Sequence, residues 1–348
     1  MDSSLEDSLL SCIVSEKPNV KWEDVVGLET AKAELQEAII FPTRFPQIFR
    51  GTRQARRAVL LHGPSGTGKS YLAKAAATEA GLALFSVRCG DVGAKRMGQG
   101  ENLMGQLFTL AREKKPSIVF IDELDTVCGK QDSKDANGET STRIRTEFLV
   151  QMEANNNDGV FVLAATNRPW SLDPAVQRRF QKRLHRCVHV PLPDEEARSK
   201  LFKFHLGDTA SSLDNAEEAF RDLAQKTAGF SSRDISDLVQ AALMTPVKKV
   251  HAATYFRKAS PPILQQNNML TRPLQFRDRH GEWYTPCNPF EDGATLMKWD
   301  KVPARQLKEP TLTLADLYNA VAKARPSVGE EEVRKCSEWT RQYAMESA

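Results

Sequence analysis

The sequence predicts an α/β fold with a doubly wound parallel sheet, followed by a small helical domain that carries an inserted β subdomain. Three observations point that way. From about residue 21 to 193, short apolar runs alternate with helix-period segments. Several of those runs are apolar at every position, as strands buried on both faces are. After Pro191-Leu192-Pro193 the alternation stops and helical patterns take over.

Residues 1–20 read as an N-terminal linker ending near Pro18-Asn19. A helix from Thr30 to Ile40 is expected to stop at Pro42, because proline lacks the N–H that a helix interior needs. A strand at 58–61 feeds a helix at 70–80, rich in alanine and closed by Gly81. Strand 83–87, helix 101–114, strand 118–121 and strand 160–165 follow. A large α/β domain at 21–193 then gives way to helices Asp194–His205, Glu217–Thr227 and Ser232–Lys249, the last interrupted near Pro246, in a small domain at 194–256. Residues 257–309 are proline-rich and irregular, with short aromatic pieces. Residues 310–348 close the chain with two helices.

The chemistry lies at the strand ends. Gly63-Pro64-Ser65-Gly66-Thr67-Gly68-Lys69-Ser70 follows a buried strand and opens a helix. Such a loop turns consecutive backbone N–H groups onto phosphates, Lys69 reaches the β and γ oxygens, and the Ser70 hydroxyl is placed for Mg²⁺. The helix N-terminus behind it adds positive partial charge. Gly63 through Tyr71 are therefore the expected ATP-binding loop. Ile118-Val119-Phe120-Ile121 delivers Asp122 and Glu123 at the carboxyl end of its strand, where ligands sit in open parallel sheets. Asp122 is expected to hold Mg²⁺, through Ser70 or a water, and Glu123 to act as general base on the attacking water. The strand at 160–165 ends in Thr166-Asn167, whose amide could orient that water or sense the γ-phosphate.

Composition narrows the class further. The 348 residues can bury a large core and fit two domains. Lys and Arg number 48 against 45 Asp and Glu, and the net charge of +3 gives no basic excess for a nucleic-acid partner. Six cysteines, at 12, 89, 128, 187, 287 and 336, show no paired spacing and read as reduced thiols of the cytoplasm. The N-terminus is acidic and unlike a signal peptide, and no apolar run approaches the ~18 residues of a membrane span. His185, Cys187 and His189 alternate in what reads as an insertion at 181–190. They could share one strand face as metal ligands, although no fourth ligand is evident and a basic strand extension explains them equally.

The order of elements resembles the AAA family of ring ATPases, and its meiotic subgroup in particular. The resemblance is carried by Pro18-Asn19-Val20-Lys21-Trp22-Glu23-Asp24-Val25-Val26-Gly27-Leu28, by Lys69 to Ala75, and by Arg143 to Met152. Thr285-Pro286-Cys287-Asn288-Pro289 and Leu307-Lys308-Glu309-Pro310 single out the branch that disassembles ESCRT-III protein polymers in endosomal and vacuolar sorting. The resemblance implies a hexamer with ATP between neighbouring subunits, and peripheral work at endosomal membranes. It also implies that residues 257–309 form an inserted β-type subdomain, and that a β-domain cofactor protein is a further partner. By the same resemblance Asp24 to Gly27 cradle adenine, Arg178 and Arg179 enter a neighbour's site at the γ-phosphate, and the Gly229-Phe230-Ser231-Ser232 turn closes over the nucleotide. Lys95, Arg96 and Met97 match the pore loop, with Arg96 where the family has an aromatic residue. That branch also carries an N-terminal three-helix docking module, which residues 1–20 are too few to build. Two other readings keep part of this pattern: a microtubule-severing ATPase, and a regulatory ring subunit that does not translocate substrate.

Overall fold

A computed structural model gives the fold. It describes residues 13–49, 55–90, 100–129, 136–154, 159–180, 185–207, 209, 216–260, 282–303 and 306–343. The chain divides into two compact units: residues 1–198, 228–234 and 326–348 form the first, and 199–227 with 235–325 the second.

The first unit is built on a six-stranded sheet in the order β1-β3-β4-β5-β2-β6. Its strands are β1 (Val14–Glu16), β2 (Ala58–His62), β3 (Ala83–Arg88), β4 (Ser117–Asp122), β5 (Val160–Thr166) and β6 (His185–His189). The five strands β2 to β6 run parallel, and β1 pairs antiparallel with β3 at one edge. The expected doubly wound parallel sheet is therefore present. Its alternating residues feed two separate cores, which is why the strands read as continuous apolar runs. On one face Leu60, Phe85, Val119, Ile121 and Val162 pack with α3 (Gly100–Glu113) and α5 (Ala136–Ala154). On the other, Val59, Leu61, Leu84, Ile118 and Leu163 pack with α1 (Glu29–Leu35) and α2 (Lys69–Ala80). Shorter α4 (Asp125–Cys128) and α6 (Pro174–Phe180) follow β4 and β5.

Three sequence readings are corrected here. Pro42 does not stop the first helix: α1 continues through a π-turn at Gln36–Ile40 into a last turn at Phe41–Arg44, and the wider π-turn just before Pro42 accommodates the proline inside a continuous helix. Val14–Glu16, placed in the linker, is a strand held by β3 and by a Glu16–Lys74 ion pair. The apparent insertion at 181–190 contributes β6, a paired strand of the main sheet, held to α1 by the Arg186–Glu34 ion pair. Among the described residues no group of ligands suited to a metal is found; the His185 side chain lies outside them.

The second unit holds the remainder of α7 (Glu195–Leu206), α8 (Ala216–Lys226), most of α9 (Ser232–Leu243), α10 (Thr245–Ala252) and α11 (Leu314–Lys323). Pro246 starts α10 rather than kinking a longer helix. A three-stranded antiparallel sheet of β8 (Trp283–Pro286), β7 (Tyr255–Ala259) and β9 (Thr295–Leu296) supplies the β subdomain. Lys249 donates to both carboxylate oxygens of Asp316, at 2.7 and 2.9 Å, joining α10 to α11. The last helix, α12 (Glu330–Tyr343), returns to the first unit.

The five described cysteines at 89, 128, 187, 287 and 336 are free thiols. Burial pushes Cys128 and Cys187 up to about 12, so both are protonated at neutral pH. No helix among the described residues is long and apolar enough to cross a membrane.

Candidate active site

The site gathers at the carboxyl ends of β2, β4 and β5. Gly63 begins the loop after β2, and its conformation is forced by the residue that follows β6: a side chain there would place its Cβ 2.1 Å from the Val190 carbonyl oxygen. Val190 N–H in turn donates to the His62 carbonyl at 2.8 Å. Gly66 and Gly68 take left-handed φ values of 74° and 96°, which let the loop double back onto α2. Thr67 Oγ1 donates to the Pro64 carbonyl at 3.0 Å and closes the turn from inside.

Lys69 is 6 % exposed and donates to the carbonyls of Gly63 at 2.8 Å and Pro64 at 2.7 Å. Burial pulls its ammonium down to about 8, against the opposing pull of the Asp122 carboxylate. Ser70 Oγ donates to Asp122 Oδ2 at 2.6 Å, so the loop after β2 and the end of β4 meet through two hard oxygen ligands. Glu123 follows with φ of 55°, a left-handed turn rare outside glycine, and its N–H donates to Asp122 Oδ1 at 2.9 Å. Thr166, at the end of β5, donates to Asp125 Oδ1 at 2.6 Å. The half-buried Asn167 lies next to it, and its carbonyl faces Cys336 Sγ at 3.8 Å.

The remaining expected residues divide. Asp24 and Gly27 lie in the segment before α1, and Asp24 sits close enough to Tyr71 that its charge adds to burial in raising the tyrosine's pKa. The Asp24–Gly27 segment and the helix that follows the loop are thus neighbours. Arg178 is exposed, whereas Arg179 is ion-paired with Glu153. The Ser231 turn lies on the phosphate loop: Arg233 N–H donates to the Gly66 carbonyl at 3.1 Å, and Ser231 Oγ lies 2.6 Å from where a Gly66 Cβ would stand. Lys95, Arg96 and Met97 fall outside the described residues.

Two contacts have no counterpart in the sequence reading. Ser65 N–H donates to Glu332 Oε1 of α12 at 3.3 Å. His62, fully buried just before the loop, contacts Thr340 Oγ1 through Nε2 at 2.9 Å, stacks on His189 at 5.2 Å and meets Trp339 edge-on at 4.6 Å. Burial, then the neighbouring His189 and Lys69, lower its pKa to about 3. These contacts join residues far apart in sequence, so no local spacing announces them.

A phosphate loop at the end of β2, an acidic pair at the end of β4 and a polar end to β5, on this sheet order, define an ATP-hydrolysing enzyme of the P-loop AAA class. Residues 59–188 match the ATPase family associated with various cellular activities (AAA), and residues 284–343 match the Vps4 C-terminal oligomerisation domain. The chain is 45 % identical over 346 residues to human vacuolar protein sorting-associated protein 4A, a match covering 99 % of this chain and 75 % of the relative. It is 42 % identical to vacuolar protein sorting-associated protein 4 of Dictyostelium discoideum, over 99 % of this chain and 74 % of that one. Its fold is similar to the crystal structure of the FIGL-1 AAA domain, with a TM-score of 0.71 and 27 % identity, covering 99 % and 96 % of the two chains. The chain belongs to the vacuolar protein sorting-associated protein 4 family of AAA ATPases.

Proposed function

We propose that this ATPase works as a ring, a hexamer by resemblance, that disassembles ESCRT-III-type protein polymers during endosomal and vacuolar sorting. The observation that carries the reading is one chain joining a hydrolytic set at three strand ends to residues 284–343 that match the Vps4 C-terminal oligomerisation domain. Such a chain couples hydrolysis to assembly. The β subdomain of β7, β8 and β9 is the surface proposed for a cofactor protein, and membrane association at endosomes would be peripheral and supplied by partners.

In this mechanism Asp24 to Gly27 hold the adenine, and the Gly63 to Tyr71 segment holds the phosphates by backbone N–H groups and Lys69. Mg²⁺ fits the donor set, because the Ser70 hydroxyl and the Asp122 carboxylate already face each other at 2.6 Å and both are hard oxygen ligands. When bound, the ion would neutralise charge on the β and γ oxygens. Glu123 takes the proton of the attacking water and Asn167 orients that water. Arg178, with Arg179 beside it, approaches the γ-phosphate of the neighbouring subunit, making turnover depend on assembly. Lys95, Arg96 and Met97 are proposed to line the pore, where a guanidinium would favour acidic polymer segments.

The test is sedimentation of preformed ESCRT-III polymer with this protein and ATP. The reading expects polymer to move to the soluble fraction with ATP and to stay in the pellet with the Glu123→Gln variant. Polymer that remains intact while ATP is consumed would contradict it.

A further inference from the structure

Asn167 occupies the middle of a turn whose two ends are tied together. The hydroxyl of Thr166, 1 % exposed at the end of β5, gives its proton to Asp125 Oδ1 at 2.6 Å, and its oxygen accepts the Arg168 N–H at 3.1 Å. A threonine oxygen that accepts from the residue two places on closes a tight local turn, which sets the backbone direction of the residue between. Such turns are weak alone, but here a short bond to a carboxylate fixes the hydroxyl rotor. The Asn167 carbonyl is contacted in turn by the Cys336 thiol at 3.8 Å. Asp125 opens α4 two residues after Glu123, and the intervening Leu124 donates its N–H to the Ala165 carbonyl at 3.0 Å. The two residues after Glu123 are therefore bonded to the two residues before Asn167. These bonds stitch the exits of β4 and β5 together beyond their ladder, whose register ends at Ile121 opposite Ala164.

We propose that Asp125 is a positioning residue for hydrolysis: through the Thr166 hydroxyl it fixes where Asn167 stands relative to Glu123, so that amide and base meet the same water. The proposal rests on reading Glu123 as the general base and Asn167 as the group that orients the water. Asp125 acts through Thr166. A displacement of about 1 Å in a positioned group costs up to about a hundredfold in turnover, so the bond matters for geometry more than for affinity. The Asp125 charge also favours the ammonium form of Lys69. Removing the carboxylate alone would mix that effect with the loss of the bond. Thr166→Val separates them, because it deletes the hydroxyl at nearly constant volume and keeps the charge.

The experiment measures kcat on assembled protein, with ATP affinity and melting temperature alongside. Thr166→Val and Asp125→Ala are each expected to lower kcat about tenfold to a hundredfold, with ATP affinity in Thr166→Val within about twofold of the parent. Thr166→Ser, which keeps the hydroxyl, should recover most of the rate. Adding Thr166→Val to Asn167→Ala should lower kcat by no more than about a further twofold, since the group to be positioned is already gone. A bond that serves only the fold would give losses that multiply and that follow the melting temperature. Should Thr166→Val fail to bind ATP, Asp125→Asn decides, because it keeps the side-chain shape and weakens the bond: kcat should fall severalfold at the parent's melting temperature. An unchanged kcat in the deciding variant, or a full multiplicative loss on top of Asn167→Ala, overturns the role of Asp125 and leaves Glu123 and Asn167 as assigned. Parent-like turnover in Asn167→Ala or in Glu123→Gln overturns those assignments, and the role of Asp125 with them.

Discussion

Ser70 Oγ lies 2.6 Å from Asp122 Oδ2, so a residue of the phosphate loop and the end of a strand two places away in the sheet share one hydrogen bond. Ser70→Ala and Asp122→Asn should each weaken Mg²⁺-dependent ATP binding about tenfold or more, as loss of a charged-group contact worth ~1.5–3 kcal/mol implies. Titration of a fluorescent ATP analogue with and without EDTA checks this: the chelator should bring the parent down to the variants and leave the variants unchanged.

Lys69 carries a second prediction. Its folded pKa of about 8 lies below the unfolded value of 10.5, so the unfolded chain binds more protons between those two pH values and stability rises with pH across that window. Below pH 8 the buried ammonium is a standing cost. Lys69→Met should therefore raise the melting temperature of the nucleotide-free protein at pH 7, by the equivalent of about 1–3 kcal/mol, while abolishing ATP binding. A variant that melts lower and still binds ATP would contradict the assignment.

His62 sets an acid limit. With a folded pKa near 3 against 6.5 for the free side chain, its contribution is fully present above pH 6.5 and is lost as pH falls toward 3. His189, also lowered by burial and by Lys69, acts in the same direction. Each such group steepens the loss by up to about 1.4 kcal/mol per pH unit. Urea midpoints at pH 7 and pH 4.5 should therefore fall further in the parent than in His62→Gln. Because His62 holds Thr340 and Trp339, acid should also loosen α12, which a fluorescence shift at Trp339 would report.

The two arginines after β5 are not equivalent. Arg178 is exposed while Arg179 is paired with Glu153. Arg178→Ala should keep ATP binding and lose most of the rise in turnover with protein concentration, whereas Glu153→Gln, which removes one partner of Arg179, should leave binding unchanged. Mixing Arg178→Ala subunits with Glu123→Gln subunits should restore part of the turnover, because each supplies what the other lacks at a shared boundary.

The strand ends were legible because each one couples a run of apolar residues to a sharp change of chemistry. Val59 to Leu61 before Gly63, and Ile118 to Ile121 before Asp122, announce both the sheet and the site, and the structure extends those strands by only a residue or so. Pro42 was misread because a π-turn just before it lets the helix run on past the proline, and no residue pattern announces that turn. The place of β6 in the main sheet was missed because its polar members, His185, Arg186 and His189, look like an added basic strand, while Cys187 and Val188 pack against the two cores. The contacts of Thr340 and Trp339 with the end of β2, and of Glu332 with the loop after it, join positions more than 260 residues apart. Nothing in local periodicity encodes a meeting of that kind.

The central claim is that this chain hydrolyses ATP only when assembled. Steady-state ATP turnover per subunit, measured across a range of protein concentrations with Glu123→Gln as the blank, tests it most directly. The account predicts a rate per subunit that climbs cooperatively with concentration and vanishes in the variant. A rate per subunit that is the same at every concentration, or that survives in Glu123→Gln, would contradict it.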